Sequence, residues 1–232
     1  MKAGKVAIVA GSGLDLRPLL DDLYAERCFS DFPGLAAANT AGHSGMFLIG
    51  RHAGRDVIVQ CGRLHAYEGL GIRALGRTVD ALALLGAHTT VFTNAAGGLR
   101  PEAAPGTLVA AEAVWCWPYR AASLPPMLRP SCTLDGCALR GTYVWMHGPC
   151  YETRAEVRLL AAWGATTVGM STAPELVRCE AIGMRTAVVS CVTNNCLRPS
   201  KLTHGHVLDA AKRTSERLRE LLARNLPALA EG

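Results

Sequence analysis

Three features of the sequence predict a single α/β domain over residues 1–232, built on a mixed, largely parallel, twisted sheet flanked by helices. Apolar runs such as Lys5–Ala10 and 185–192 are continuous rather than alternating, which is the pattern of strands buried on both faces. Helical spacings separate these runs, and the runs end in glycines or small polar residues, as strands do where the carboxyl edge of an open sheet meets a ligand. At 50% hydrophobic and 19% charged residues, the chain can fill one large core.

The first buried strand, Lys5–Ala10, passes directly into Gly11-Ser12-Gly13. That turn either holds an anion through its backbone N–H groups and the Ser12 hydroxyl, or is simply tight. Apolar spacing predicts a helix over residues 15–23. Residues 30–45, rich in Gly, Ala, Ser and Pro, read as loop, and 45–49 with 55–60 read as a strand pair around Arg51-His52-Ala53-Gly54.

The second strand of that pair delivers Cys61-Gly62-Arg63-Leu64-His65-Ala66-Tyr67-Glu68-Gly69. In extended backbone Arg63, His65 and Tyr67 point the same way. A guanidinium can grip a phosphate with its planar fork, an imidazole can donate to it charged or neutral, and a phenol can reach a sugar hydroxyl. The competing reading is a solvated loop end. Residues 72–85 have helical spacing capped by Gly86, and a strand over 89–93 ends in Asn94-Ala95-Ala96-Gly97-Gly98, where little side chain stands between backbone and ligand.

Residues 99–141 are proline-rich, with one apolar strand predicted over 107–117. Trp115, Trp117 and Tyr119 lie on alternate positions there, either as packing aromatics or as a subunit contact or pocket lid. A strand over 142–147 leads into His147-Gly148-Pro149-Cys150-Tyr151-Glu152-Thr153, which opens a helix with Ala155, Val157, Leu159, Leu160 and Trp163 on its buried side. A strand over 166–168 then meets Gly169-Met170-Ser171-Thr172, and Pro174 starts the next helix, over 173–182. Glu152 and Ser171 can therefore face one bound molecule from two sides. The strand over 185–192 ends in Thr193-Asn194-Asn195, and an amphipathic helix spans 207–222 with His204 just before it.

Twenty-four Lys and Arg against nineteen Asp and Glu give a net charge of +5, without the basic runs interleaved with aromatics that a nucleic-acid surface needs. The excess fits a small anionic substrate or a plain solubilising surface. Nine cysteines form no Cys-x-x-Cys pair and no zinc-type spacing, so reduced core thiols and no metal are expected. No apolar stretch has the length of a membrane or signal segment, and a cytoplasmic protein is the expectation.

Taken together, GSGL at 11–14, GRLHAYEG at 62–69, TNAAGG at 93–98, GPCYET at 148–153, VGMSTAPE at 168–175 and TN at 193–194 resemble the trimeric purine nucleoside phosphorylase family, in order and spacing across nearly the whole chain. AGHSG at 41–45 accompanies them. The resemblance implies the type I nucleoside phosphorylase fold, a homotrimer, and no cofactor beyond orthophosphate as co-substrate. It implies that Ser12, Arg63, His65, the Ala95 backbone and Ser171 hold orthophosphate. Tyr67 and the Met170 backbone would meet ribose hydroxyls, and His204 the 5′-hydroxyl. Tyr151, Val168 and Met170 would line the purine pocket, while Glu152 and Asn194 bond the purine's polar edge. The activity implied is phosphorolysis of purine nucleosides, with catalysis by Asn194, Glu152 and His65. The family has Asn at the position of Asn194 for 6-oxopurines such as inosine and guanosine, and Asp for 6-aminopurines. The alternatives are a methylthioinosine or methylthioadenosine phosphorylase, or a nucleoside-binding homologue without turnover. Between Gly98 and Gly141 the chain is shorter than the family pattern and lacks its Asp-His-(Ile)-Asn signature.

Overall fold

Strand β1 (Lys5–Ala10) lies between β4 (Arg55–Cys61) and β5 (Ala87–Gly98), parallel to both. The computed structural model describes residues 4–36, 44–116, 124–198 and 204–231. Five of the six β1 residues are buried, because both faces of the sheet are covered. Val6, Ile8 and Ala10 join one core cluster with Leu218, Leu222 and Leu226 of helix α5 (His204–Ala230). Ala7 and Val9 join the opposite cluster with Val79 and Leu82 of α2 (Arg77–Leu84) and Leu176 of α4 (Ala173–Ala181). The period-two alternation of side chains thus divides the core in two, and each Val or Ile buried there contributes about 1.5–3 kcal/mol.

Outward from β4 the sheet continues antiparallel through β3 (Met46–His52) to β2 (Asp22–Cys28) at its edge. On the other side β5 pairs in parallel with β10 (Arg185–Asn195), which runs antiparallel to β6 (Leu108–Cys116). Strand β6 pairs with the short β7 (Met127–Leu128) and, in parallel, with β8 (Leu139–Trp145). The next parallel partner of β8 is β9 (Thr167–Gly169), which returns to pair antiparallel with Gly97 and Gly98 at the end of β5. This half of the sheet therefore closes on itself.

Several expectations from the sequence need correction. The helix over 15–23 is absent: Arg17–Leu19 makes one 3-10 turn, and the chain then enters β2. Leu16 and Leu19 are both buried, and their i, i+3 spacing is satisfied by that single turn, after which the open edge of β3 recruits residues 22–28. The helix over 72–85 is interrupted at Gly76, dividing into α1 (Ile72–Leu75) and α2, where a Cβ would meet Arg178 Cβ of α4 at 2.9 Å. On α3 (Arg154–Ala162), Val157 and Leu160 are buried, but Ala155 and Leu159 are exposed, as is Trp163 at its C-cap, Leu159 at 38% and Trp163 at 49%. Strands β5 and β10 run on through the polar residues expected to follow them, because each finds backbone partners there. The final helix extends at both ends, to His204 and Ala230.

All nine cysteines are unpaired, but only Cys116, Cys179 and Cys191 are buried, while Cys28 and Cys150 are exposed. Trp115 packs, partly buried, against Val144 and Leu160, which favours the packing role for it. Trp117, Tyr119 and residues 41–43 of the AGHSG motif lie outside the described residues. Among the described residues no helix is long and apolar enough to cross a membrane.

Candidate active site

The parallel alignment of β4, β1, β5 and β10 brings their carboxyl ends to one edge. Residues distant in sequence therefore converge on a cavity of about 690 Å³, counting its open mouth. Ser12, Arg63, His65, Tyr67, Ala95 and Ser171 line it together with Tyr151, Glu152, Val168, Met170 and Asn194. His204 begins α5, and its side chain lies outside the described residues.

Arg63 organises one end. It is 1% exposed, and its Nε donates to Glu175 Oε1 at 3.0 Å while Nη1 donates to Ser171 Oγ at 3.0 Å and to the Thr93 carbonyl at 2.9 Å. Its Nη2 has no hydrogen-bond partner among the described residues. A buried N–H of a guanidinium is costly unless something accepts from it, so this end is built to receive an anion. Thr93 ties the first glycine-rich turn to the same group. Its hydroxyl donates to the Val9 carbonyl at 2.8 Å and accepts from the Gly11 amide at 3.0 Å. Residue 11 must be glycine, since a Cβ would lie 2.8 Å from Asn94 Cα.

His65 and Tyr67 reach the cavity by a different route from the one expected. The chain stays extended through His65 and then forms a 3-10 turn over Ala66–Glu68, which stacks the two rings at 4.9 Å and 14°. Glu68 Oε1 accepts from the His65 amide at 2.8 Å and lies 3.3 Å from its Nδ1, fixing the ring. Tyr67 and Met170 flank Gly148, within 2.8 and 2.6 Å of where a Cβ would stand.

The other end carries a carboxylate and an amide. Glu152 sits in the loop before Thr153, the N-cap of α3, whose hydroxyl accepts from the Glu156 amide at 3.3 Å. Burial pushes the Glu152 carboxyl above its ordinary range. Asn194 is oriented by its neighbours: Oδ1 accepts from Thr193 Oγ1 at 3.0 Å, and Nδ2 donates to Cys196 Sγ at 3.4 Å. Burial, reinforced by the nearby Glu152 carboxylate, pushes the Cys196 thiol up to about 11, so it stays protonated near neutral pH. Among the described residues no cluster of His, Cys, Asp and Glu could hold a metal ion.

Sequence reasoning gave no role to Glu175, Tyr143, Thr93 or Cys196. Glu175 did carry a signal. Thr172-Ala173-Pro174-Glu175 is a capping-box pattern with proline inside the first turn, and Glu175 Oε2 accepts from the Thr172 amide at 3.0 Å. Nothing in the sequence marks the other three.

A buried guanidinium, a carboxylate, a side-chain amide and a stacked pair of rings thus line one cavity, the arrangement of an enzyme site that can receive an anion. The chain belongs to the phosphorylase superfamily, whose profile matches residues 5–227. It is 36% identical to the purine nucleoside phosphorylase of Mycobacterium tuberculosis, over 94% of this chain and 87% of that one. It is 30% identical to the bovine purine nucleoside phosphorylase over the same shares. A Schistosoma mansoni purine nucleoside phosphorylase solved with inosine superposes with a TM-score of 0.81 at 27% identity, covering 99% of this chain and 92% of that one.

Proposed function

We propose that this enzyme cleaves the N-glycosidic bond of 6-oxopurine nucleosides, inosine and guanosine foremost, with orthophosphate as the attacking group, yielding free base and ribose 1-phosphate. The observation that carries the reading is the orphaned Arg63 Nη2 beside Ser171, in one cavity with Glu152 and Asn194. Relatives named purine nucleoside phosphorylases support the reaction class.

The leaving base gathers negative charge as the sugar becomes oxocarbenium-like, so the groups that matter are those meeting that charge and those holding the nucleophile. Thr193 occupies Asn194 Oδ1, which leaves the amide N–H groups for acceptors, and Cys196 engages only one of them. The remaining N–H would be shared between N7 and the 6-oxo group. Ionised Glu152 would accept from N1–H. At the other end Arg63, His65, Ser12, Ser171 and the Ala95 backbone would hold orthophosphate against the anomeric carbon, while Tyr67, Met170 and His204 hold the sugar. No covalent enzyme intermediate is needed.

A homotrimer, on the family resemblance, and a cytoplasmic location, on the reduced thiols expected from the cysteine pattern, complete the proposal. A phosphorolysis assay over inosine, guanosine, adenosine and the methylthio nucleosides tests the activity. Hypoxanthine release that depends on orthophosphate is expected, and release at full rate without it would rule the reading out. Light scattering giving a monomer or dimer mass at micromolar concentration would remove the trimer.

A further inference from the structure

Ser171 offers its hydroxyl to Arg63, and a single phenol holds its backbone. Tyr143, fully buried on β8, donates to the Ser171 carbonyl at 2.9 Å and accepts from the Ser171 amide at 3.2 Å. One hydroxyl thereby satisfies both main-chain groups of a residue that is itself 9% exposed. Burial pushes the phenol well above its usual range, so the hydroxyl keeps the proton it donates. Room for it exists because residue 169 is glycine: a Cβ there would stand 2.7 Å from the Tyr143 oxygen.

The next residue is strained. Thr172 has φ 86° and ψ −48°, a conformation a β-branched side chain rarely adopts and one that persists only where surrounding contacts over-determine it. Those contacts are the Tyr143 hydroxyl on one side, and on the other Glu175, which accepts from the Thr172 amide, and Asn94, which donates to its hydroxyl at 3.2 Å. Glu175 also binds Arg63. The strained turn therefore sits between the phenol and the guanidinium.

We infer that Tyr143 is the positioning residue of the anion end: its hydroxyl pins the Ser171 peptide so that the side-chain oxygen meets Arg63, and holds Thr172 in the conformation this requires. Without the hydroxyl, the Ser171 amide and carbonyl lose their partner and the turn relaxes toward ordinary φ. Ser171 Oγ then leaves Arg63, and the guanidinium loses its alignment. The inference rests on the proposed phosphate role of this end, so the test reads phosphate binding directly.

Titration calorimetry with inorganic phosphate alone, on wild type and Tyr143→Phe, should show binding weakened about tenfold, the equivalent of one net hydrogen bond. In steady state the phosphate KM should rise by the same factor, while the nucleoside KM at saturating phosphate stays within about twofold. Gly169→Ala pushes on the same oxygen from the cavity side and should weaken phosphate in the same direction, which covers the case of a poorly folding Tyr143→Phe. Adding Thr172→Gly to Tyr143→Phe removes the drive to relax and should recover part of the phosphate affinity. Wild-type binding with unchanged affinity in Tyr143→Phe and Gly169→Ala would overturn the inference and leave the phosphate site standing. Equal rises in both KM values would also overturn it, by showing a merely structural role. A wild type that binds no phosphate would overturn the phosphate site itself.

Discussion

Arg63 and Glu175 form an ion pair at 3.0 Å in which the side chains are only 1% and 3% exposed. Removing one partner of a buried pair strands the other charge, which typically costs about 3–5 kcal/mol. Glu175→Ala should accordingly lower the unfolding free energy by that order and shift the denaturant midpoint down in proportion. Orthophosphate should raise the variant's midpoint more than the wild type's, because the anion supplies the missing charge. An unchanged midpoint for Glu175→Ala would show that Arg63 does not depend on it.

Arg63→Ala removes the orphaned N–H together with the donor to Ser171. Hydrogen bonds to charged groups contribute about 1.5–3 kcal/mol, so the phosphate KM should rise roughly tenfold to a hundredfold. Arg63→Lys should recover little, since an ammonium cannot reproduce the fork that serves Glu175, Thr93 and Ser171 together. Steady-state kinetics with phosphate as the varied substrate decides between these outcomes.

Asn194 presents N–H donors, whereas a carboxylate offers only acceptors unless protonated. Losing one donor to a developing oxyanion costs about 2.7–4 kcal/mol in comparable sites, so Asn194→Asp should lower inosine turnover on the order of a hundredfold. Adenosine should suffer less, since Asp can accept from its 6-amino group. If the ratio of kcat/KM for inosine and adenosine does not move, Asn194 is not in the base site.

Glu152 has a pKa raised chiefly by burial. The folded state therefore holds its proton more tightly than the unfolded chain does, and its contribution to stability is present at low pH and lost as pH rises through the raised value. Binding a base through N1–H needs the ionised form, so nucleoside KM should climb as pH falls through that same value, and binding there should release a proton. Glu152→Gln should abolish the proton release and flatten the acid limb of the profile. Calorimetry in buffers of different ionisation enthalpy gives the proton count, and an acid limb surviving in the variant would assign it to another group.

Much of this was legible because it depends on local pattern. The continuous apolar run at Lys5–Ala10, followed by a glycine turn, needs only its own residues to read as a buried strand reaching a ligand edge. Arg63, Ser171, Glu152 and Asn194 stood out as polar groups at the ends of such runs, and the cavity gathers them. What stayed hidden are relationships across the fold. The phenol of Tyr143 gains its meaning from Ser171, 28 residues on, and Cys196 from the amide of Asn194. The failed helix at 15–23 has the same origin, since β2 exists for the sake of the edge of β3.

The anion end draws Arg63 from one side of the chain and Ser171 and Glu175 from 108 and 112 residues further along. Only a chain folded across that separation brings these groups together, so a ligand seated there binds the folded state and not the unfolded chain. At a hundred times its dissociation constant such a ligand adds about 2.7 kcal/mol to global stability. Inside a cell, where proteases remove whatever is unfolded, the expected consequence is that the supply of substrate governs how long each molecule survives: starvation for phosphate or nucleoside should shorten its half-life, and plenty should lengthen it.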